Sequence, residues 1–119
     1  MNELKAFLNR AELRAPEKEI IVSKRFKDSN GNVVPMRIRA VTQEENDAIS
    51  KRCWKNDKTG KPQFDATDYN RRLVLAGTVF PDFKDKELCD SYGVLDPLMV
   101  PGKMLLAGEY AALVEAISD

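Results

Sequence analysis

The sequence predicts an α+β fold in which an N-terminal amphipathic helix and an antiparallel β-hairpin precede a mainly helical C-terminal part. Two β-branched runs, residues 19–26 and 34–41, flank a turn that contains Asn30-Gly31, and a helix-capping signal follows the second run directly. Helical apolar stripes then occupy the remainder of the chain. Because 119 residues is the size of one domain, we expect residues 1–119 to fold as a single unit.

The first predicted element is a short amphipathic helix within residues 1–15. One helix face has apolar residues at the i, i+3, i+4 and i+7 positions: Leu4, Phe7, Leu8 and Ala11. Ala15-Pro16 ends the helix, because the residue before a proline is disfavoured in the helical region. The apolar stripe either packs on its own domain or docks on a partner or a neighbouring copy. Its four residues are the candidate partner-binding site.

The predicted hairpin, residues 19–41, has one apolar face and one charged face. Alternation places six side chains on the apolar face: Ile20, Val22, Phe26, Met36, Ile38 and Ala40. Arg37 and Arg39 fall on the opposite face. A two-stranded hairpin is marginally stable alone, so the apolar face requires a helical cover. Thr42 and Glu45 have the spacing of a capping box, which predicts that the covering helix begins directly after the hairpin.

The covering helix is expected to end near Trp54, whose side chain we interpret as a lid on the core rather than a binding anchor. Residues 55–62 are polar and rich in turn formers, which predicts an exposed loop. Asp65 or Thr67 then caps a second long helix, and Pro81 stops it. The apolar stripe of this helix is broad enough to form the centre of the core and includes Tyr69, Leu73, Ala76 and Phe80.

Three further helical signals complete residues 43–119. Asp85 caps a short helix, and the Asp96-Pro97 pair begins another. Pro101-Gly102 is expected to break or kink that helix. A last amphipathic helix runs from residue 108 to the end of the sequence. Its stripe is interpreted as core and consists of Tyr110, Leu113, Val114 and Ile117.

The residue types of common active sites are scarce. The chain contains no histidine, which removes the usual general base at neutral pH and the commonest metal ligand. Cys53 and Cys89 form no CxxC motif, so we expect no zinc site and, in a reducing compartment, no disulfide. The acidic clusters lie at predicted helix starts, where the helix dipole favours negative charge. We therefore predict a non-enzymatic protein with no catalytic residue, cofactor or metal.

The charge balance disfavours a general attraction to polyanions. The 19 basic and 19 acidic residues cancel, so the sequence predicts neither a dedicated nucleic-acid binder nor a protein drawn to anionic membranes. The sequence has no long apolar run and no basic-then-apolar leader, which predicts a cytoplasmic protein. A small regulator that binds nucleic acid through the hairpin's basic residues is a weaker hypothesis. Its binding would have to weaken steeply with salt.

Four segments carry a family resemblance: residues 21–28, 34–46, 88–94 and 105–113. In this order they resemble motifs of the XkdN-like tail assembly chaperones found in contractile-tailed phages and PBSX-type prophages of Gram-positive bacteria. The resemblance implies a protein that acts in the host cell cytoplasm during phage assembly and is absent from the mature virion. It also implies the tape measure protein as the client, with the tail tube protein as a further candidate partner.

The residues and the resemblance together predict a chaperone that binds client helices through exposed apolar stripes, above all that of the first helix. Self-association into a homo-oligomer is a companion prediction. The alternative function is a structural tail completion or connector protein that is retained in the virion. Mass spectrometry of purified particles separates the two, because a retained component is found at fixed stoichiometry and a chaperone is not.

Overall fold

The computed structural model describes residues 3–9 and 16–119, which form a mixed α+β architecture as predicted. A 3-10 helix at Glu3–Phe7 comes first. The strands are β1 (Glu17–Ile20), β2 (Met36–Arg39), β3 (Trp54–Asn56), β4 (Pro62–Phe64) and β5 (Thr78–Phe80). The helices are α1 (Gln43–Arg52), α2 (Ala66–Gly77), α3 (Lys86–Ser91), α4 (Val100–Met104) and α5 (Ala107–Ser118), with a 3-10 helix at Pro97–Met99 just before α4.

The main sheet is antiparallel and has the order β1-β2-β5. Strands β1 and β2 pair from Glu17 opposite Arg39 to Ile20 opposite Met36, which confirms the predicted hairpin. Its ladder is shorter than expected, because residues 21–26 leave it and only an isolated bridge between Lys27 and Val33 follows. The backbone N–H of residue 25 instead donates to a buried serine hydroxyl at position 23.

The core lies between this sheet and the helices. Met36 and Ile38 of β2 are buried, and Ile20, Val22 and Phe26 pack against the core from the first half of the hairpin. Five of the six side chains predicted for the apolar face thus contact the core, although Val22 and Phe26 lie beyond the end of β1, and Ala40 is not among the residues packed there. The buried cluster consists of Met36, Ile38, Leu73, Val74, Phe83, Cys89, Val100, Met104, Leu105, Leu113 and Ile117.

The capping box at the start of α1 is confirmed. The Thr42 hydroxyl accepts a hydrogen bond from the Glu45 backbone N–H at 3.2 Å, and the Glu45 carboxylate accepts one from the Thr42 N–H at 3.1 Å. The same carboxylate accepts two hydrogen bonds from Arg39 of β2, at 2.8 and 2.6 Å. Helix α1 is therefore tied to the hairpin that precedes it. It is not the predicted cover of the hairpin's apolar face, however, because none of its residues is buried and α2, α4 and α5 supply the helical side of the core instead. Asp65, one of the two predicted caps, begins α2 by accepting from the Asp68 N–H at 3.0 Å.

The loop predicted at residues 55–62 is wrong in part. These residues are exposed as expected, but they belong to a second antiparallel hairpin in which Trp54 pairs with Phe64 and Asn56 with Pro62. Trp54 is also not a lid on the core, since 57% of its surface is exposed. Its ring instead meets the ring of Phe64 edge to face, with 5.3 Å between centroids.

The second long helix ends earlier than predicted. Helix α2 stops at Gly77, and Thr78–Phe80 forms β5 against β2. The placement of Phe80 in the core stripe of this helix is therefore wrong, and 47% of its surface is exposed. The strand forms because β2 offers an unpaired edge at this point, and its hydrogen bonds outweigh the weak local preference of Thr78, Val79 and Phe80 for helix. Leu73 of the stripe is buried as expected.

Pro101-Gly102 does not break a helix, contrary to the prediction. Pro101 lies in the first turn of α4, where its missing N–H costs no intrahelical hydrogen bond. The preceding 3-10 helix is capped as predicted, with the Asp96 carboxylate accepting from the Leu98 N–H at 3.0 Å. The backbone thus passes from 3-10 to α geometry at Val100 without a turn between the two.

The last helix is held against both α2 and the hairpin. Leu113 and Ile117 of α5 are buried, and a side chain added at Gly77 of α2 would come within 2.5 Å of Ile117. At its start, Glu109 binds Arg25 at 2.5 Å and accepts from the Leu106 N–H at 2.9 Å. These hydrogen bonds lower the pKa of Glu109 to about 2. None of the helices in the described part of the chain is long and apolar enough to span a membrane.

Candidate partner-binding surfaces

The N-terminal residues predicted to bind a partner lie on a short helix with no buried side chain. Residues Glu3–Phe7 form a 3-10 helix, rather than the α-helix expected over residues 1–15. In 3-10 geometry positions i and i+3 align, which places Leu4 and Phe7 along one edge. Both are exposed, Phe7 over 82% of its surface, and Leu8 directly after the helix is also exposed. Ala11 lies outside the described residues.

The second hairpin carries an exposed aromatic row. Trp54 contacts Phe64, and Phe64 lies 5.7 Å from Tyr69 of α2, measured between ring centroids. Tyr69 is half-buried and donates a hydrogen bond to Asn46 of α1. The row therefore runs from solvent to the α1–α2 contact. Lys55 beside it binds Asp65 at 3.0 Å, and this pairing fixes the hairpin on the start of α2.

An open groove of about 610 Å³ lies between α2, α4 and α5. Its lining is largely apolar and includes Leu98, Met99, Leu105 and Tyr110. Arg71 of α2 and Lys103 of α4 also line it. Burial raises the pKa of Tyr110, and the nearby Arg71 charge partly opposes that rise. The phenol is therefore neutral at physiological pH and presents an uncharged ring to the groove.

A smaller groove of about 230 Å³ lies on the other side of the 3-10 helix at Pro97–Met99. Ile49 of α1 and Leu75 of α2 contribute apolar side chains to it. Arg52 and Lys84 contribute positive charge. Leu98 lines both grooves, so the 3-10 helix forms the ridge between them.

Metal ligands and cysteines were the remaining candidate groups for chemistry. Across residues 3–9 and 16–119, no three or more Cys, Asp or Glu side chains converge in a group suited to a metal ion. Cys53 and Cys89 are both free thiols and both buried. Burial raises the pKa of the Cys53 thiol, which keeps it protonated and unreactive at neutral pH.

Sequence reasoning missed several exposed apolar side chains near the larger groove. Leu95 is fully exposed, and Met99 and Leu106 are also exposed. Their sequence signal is weak, because each stands at a helix boundary rather than in a periodic stripe. An apolar residue beside a cap, such as Leu95 before Asp96, is the feature that would have indicated them.

Comparison with known proteins gives a consistent match over nearly the whole chain. The family described as phage XkdN-like tail assembly chaperone protein matches residues 4–119. The protein YqbN of Bacillus subtilis (strain 168) is 38% identical over 114 residues, which cover 92% of this chain and 76% of YqbN. The phage-like element PBSX protein XkdN of the same strain is 33% identical over 114 residues, covering 92% of this chain and 77% of XkdN.

The fold is similar to a solved structure as well. The crystal structure of YqbN superposes with a TM-score of 0.81 at 33% sequence identity, covering 98% of this chain and 93% of the YqbN chain. The resemblance read from the four sequence segments is thereby confirmed.

Proposed function

The chain belongs to the family of XkdN-like phage tail assembly chaperones, and we propose that it binds the tape measure protein and assists assembly of the tail tube without catalysing a reaction. The observation that carries the proposal is family membership together with large apolar side chains left exposed at several places on the described surface. Where such side chains are contiguous, as in the exposed pair of Trp54 and Phe64, they are typical of a surface that binds a partner.

The proposed client is a long helical protein that must stay soluble until tail tube subunits surround it. Many copies bound along one client would gain avidity, so each copy needs only modest affinity. Modest affinity also permits release as the tube advances. We place this activity in the host cell cytoplasm and propose that the protein is absent from the mature virion.

The first experiment is capture of the cognate tape measure protein by the purified chain. We expect binding by the wild type and a loss of about tenfold when Leu4, Phe7 and Leu8 are changed together to serine, which corresponds to roughly 1.4 kcal/mol. Lys5→Ser is the matched control, because Lys5 lies in the same 3-10 helix but outside the apolar stripe. Its affinity should equal that of the wild type.

Failure of the wild type to capture the tape measure protein would remove the proposed function. A triple variant that binds as well as the wild type would instead remove only the role of the N-terminal helix. Mass spectrometry of purified virions tests the alternative of a retained connector: a fixed stoichiometry of this chain in the particle would favour that alternative over a chaperone.

A further inference from the structure

The two grooves share Leu98 of the 3-10 helix at Pro97–Met99 as a lining residue, and together we call them the double groove. The larger groove lies between α2, α4 and α5, and the smaller one lies between α1 and α2. Leu98 is common to both and forms the ridge. An elongated partner laid across this ridge would therefore contact both grooves at once.

The double groove is basic although the whole chain is neutral. Four of its cations form no ion pair within the described part of the chain: Arg52, Arg71, Lys84 and Lys103. Arg72 also lines the smaller groove but is neutralised by Asp68 at 3.1 Å. Among the described residues that line the two grooves, none is a carboxylate.

The described carboxylates that balance these cations in the net charge do not line the grooves, and two of them are paired with other cations. Glu109 pairs with Arg25, and Glu45 pairs with Arg39. A partner that covers the double groove must supply negative charge itself, since a cation taken out of water without a counter-charge costs free energy. The charge distribution therefore selects an acidic partner.

The floor of the double groove is apolar, which decides the kind of acidic partner. Leu98, Met99 and Tyr110 line the larger groove, and Ile49 and Leu75 line the smaller one. A nucleic acid would leave these aliphatic side chains without complementary surface, because it binds through phosphates and stacked bases. An amphipathic helix covers such a floor with its apolar stripe and places charged residues at the rim.

We propose that the double groove binds an amphipathic helix of the client whose apolar stripe is flanked by aspartate and glutamate. The proposal rests on the proposed function, because the client in question is the tape measure protein. The apolar stripe of the client helix contacts Leu98 and Met99. Its carboxylates reach Arg71 and Lys103 on one side of the ridge and Arg52 and Lys84 on the other.

The test compares charge reversal inside and outside the double groove. The full chain carrying Arg71→Glu and Lys103→Glu is titrated with purified tape measure protein by calorimetry. We expect at least a tenfold loss of affinity, a large effect for two charges. Lys58→Glu with Lys61→Glu makes the same charge change on the exposed turn of the second hairpin and should alter affinity less than threefold. Circular dichroism verifies that both variants are folded.

A second pair of variants separates charge from packing. Arg71→Gln with Lys103→Gln removes the cations without introducing repulsion and should give a smaller loss and a weaker salt dependence than the wild type shows. Met99→Ser removes apolar contact and should weaken binding while leaving the salt dependence unchanged. Wild-type affinity retained by all of these variants would overturn the proposal but leave the proposed function intact.

Designed helical peptides test the groove independently of the natural client. Two peptides share one apolar stripe, and one carries glutamate on its flanks where the other carries lysine. The proposal expects the acidic peptide to bind at least tenfold more tightly and Arg71→Glu with Lys103→Glu to abolish that preference. Equal binding of the two peptides overturns it, as does a single-stranded DNA that displaces the acidic peptide. Binding of the acidic peptide without binding of the tape measure protein would count against the proposed function alone.

Discussion

The two β-hairpins of this chain reverse direction in the same way, yet one builds the core and the other lies on the surface. In the first, the Asp28 carboxylate accepts hydrogen bonds from the backbone N–H groups of Asn30 and Asn32, at 2.9 and 3.0 Å. Gly31 adopts a φ of 81°, and its N–H donates to the Asp28 carbonyl at 3.0 Å.

The second turn repeats this pattern with different residues. The Asp57 carboxylate accepts from the N–H groups of Thr59 and Lys61, at 2.8 and 3.0 Å. Gly60 has a φ of 84°, and its N–H donates to the Asp57 carbonyl at 3.0 Å. In both turns an aspartate precedes the positive-φ glycine by three residues, and its carboxylate accepts the same pair of backbone hydrogen bonds.

The flanking strands make the difference. Strand β2 of the first hairpin lies between β1 and β5 and buries Met36 and Ile38. Strands β3 and β4 of the second hairpin pair only with each other, and all of their residues are exposed. The turn decides where the chain reverses, whereas the adjoining side chains and the available sheet edge decide whether the hairpin joins the core.

Substitutions in the strands that flank the two turns should differ most in their cost to stability. Ile38→Ala should lower the free energy of unfolding by about 3 kcal/mol, because it leaves a cavity among buried side chains. Trp54→Ala should cost only about 1 kcal/mol, chiefly the edge-to-face contact with Phe64. Urea unfolding followed by circular dichroism measures both, since the second variant removes the chain's single tryptophan.

Ile38→Val is the control for this pair, with an expected loss of about 1 kcal/mol from a smaller cavity. Equal losses for Ile38→Ala and Trp54→Ala would contradict the comparison, because the second hairpin would then carry as much stability as the first.

Substitutions of the two turn glycines should cost less. Gly31→Ala and Gly60→Ala should each weaken their own turn by about 1 kcal/mol, since alanine is disfavoured at positive φ. Neither added methyl group has a neighbour within 4 Å, so the cost is conformational. The full loss should be found in global unfolding for Gly31→Ala. For Gly60→Ala it should be found mainly in local opening, measured by hydrogen exchange of the Lys61 amide.

Asparagine tolerates the left-handed region better than alanine does, so Gly31→Asn and Gly60→Asn should recover part of each loss. If the Gly60→Ala variant exchanges the amides of the second hairpin at the wild-type rate, the turn does not limit the local opening of that hairpin.

The comparison also explains which parts of the fold could be predicted. Asn30-Gly31 between two β-branched runs is a strong hairpin signal, whereas Thr59-Gly60 between two three-residue strands is not. Both turns have an aspartate three residues before the glycine, but the same spacing also occurs at Asp90 and Gly93, where it ends α3, so it does not by itself predict a hairpin. Strand β5 could not be predicted from its own residues, because it forms by pairing with the free edge of β2, which is a tertiary feature.

The candidate partner-binding surfaces also differ in how far the sequence predicts them. Leu4, Phe7 and Leu8 were predicted from helical spacing along one segment, and all three are exposed, although only Leu4 and Phe7 lie on the 3-10 helix. The double groove could not be predicted, because its cations stand in four separate segments of the chain: Arg52, Arg71, Lys84 and Lys103. The local excess of cations over carboxylates in these grooves is not visible in the sequence, because the net charge of the whole chain is zero.

The ion pair between Arg39 and Glu45, which ties the first hairpin to α1, should contribute less to stability than the buried side chains do. Hydrogen bonds from Arg39 and from the Thr42 N–H lower the pKa of Glu45 from 4.5 to about 2. A carboxylate with a lowered folded-state pKa stabilises the fold above its unfolded pKa, and this contribution is lost as the pH falls from about 4.5 towards 2. Because 37% of the Glu45 side chain is exposed, solvent screening limits the contribution to less than about 1 kcal/mol.

Glu45→Gln should therefore flatten the acid limb of a stability profile measured by urea unfolding between pH 5 and pH 2, within the range where the wild type stays folded. Glu44→Gln is the control, because Glu44 lies one residue earlier in the same helix turn and forms no ion pair in the described part of the chain. This variant should leave the acid limb unchanged. Equal flattening by both variants would assign the acid sensitivity to the start of α1 in general rather than to the ion pair with β2.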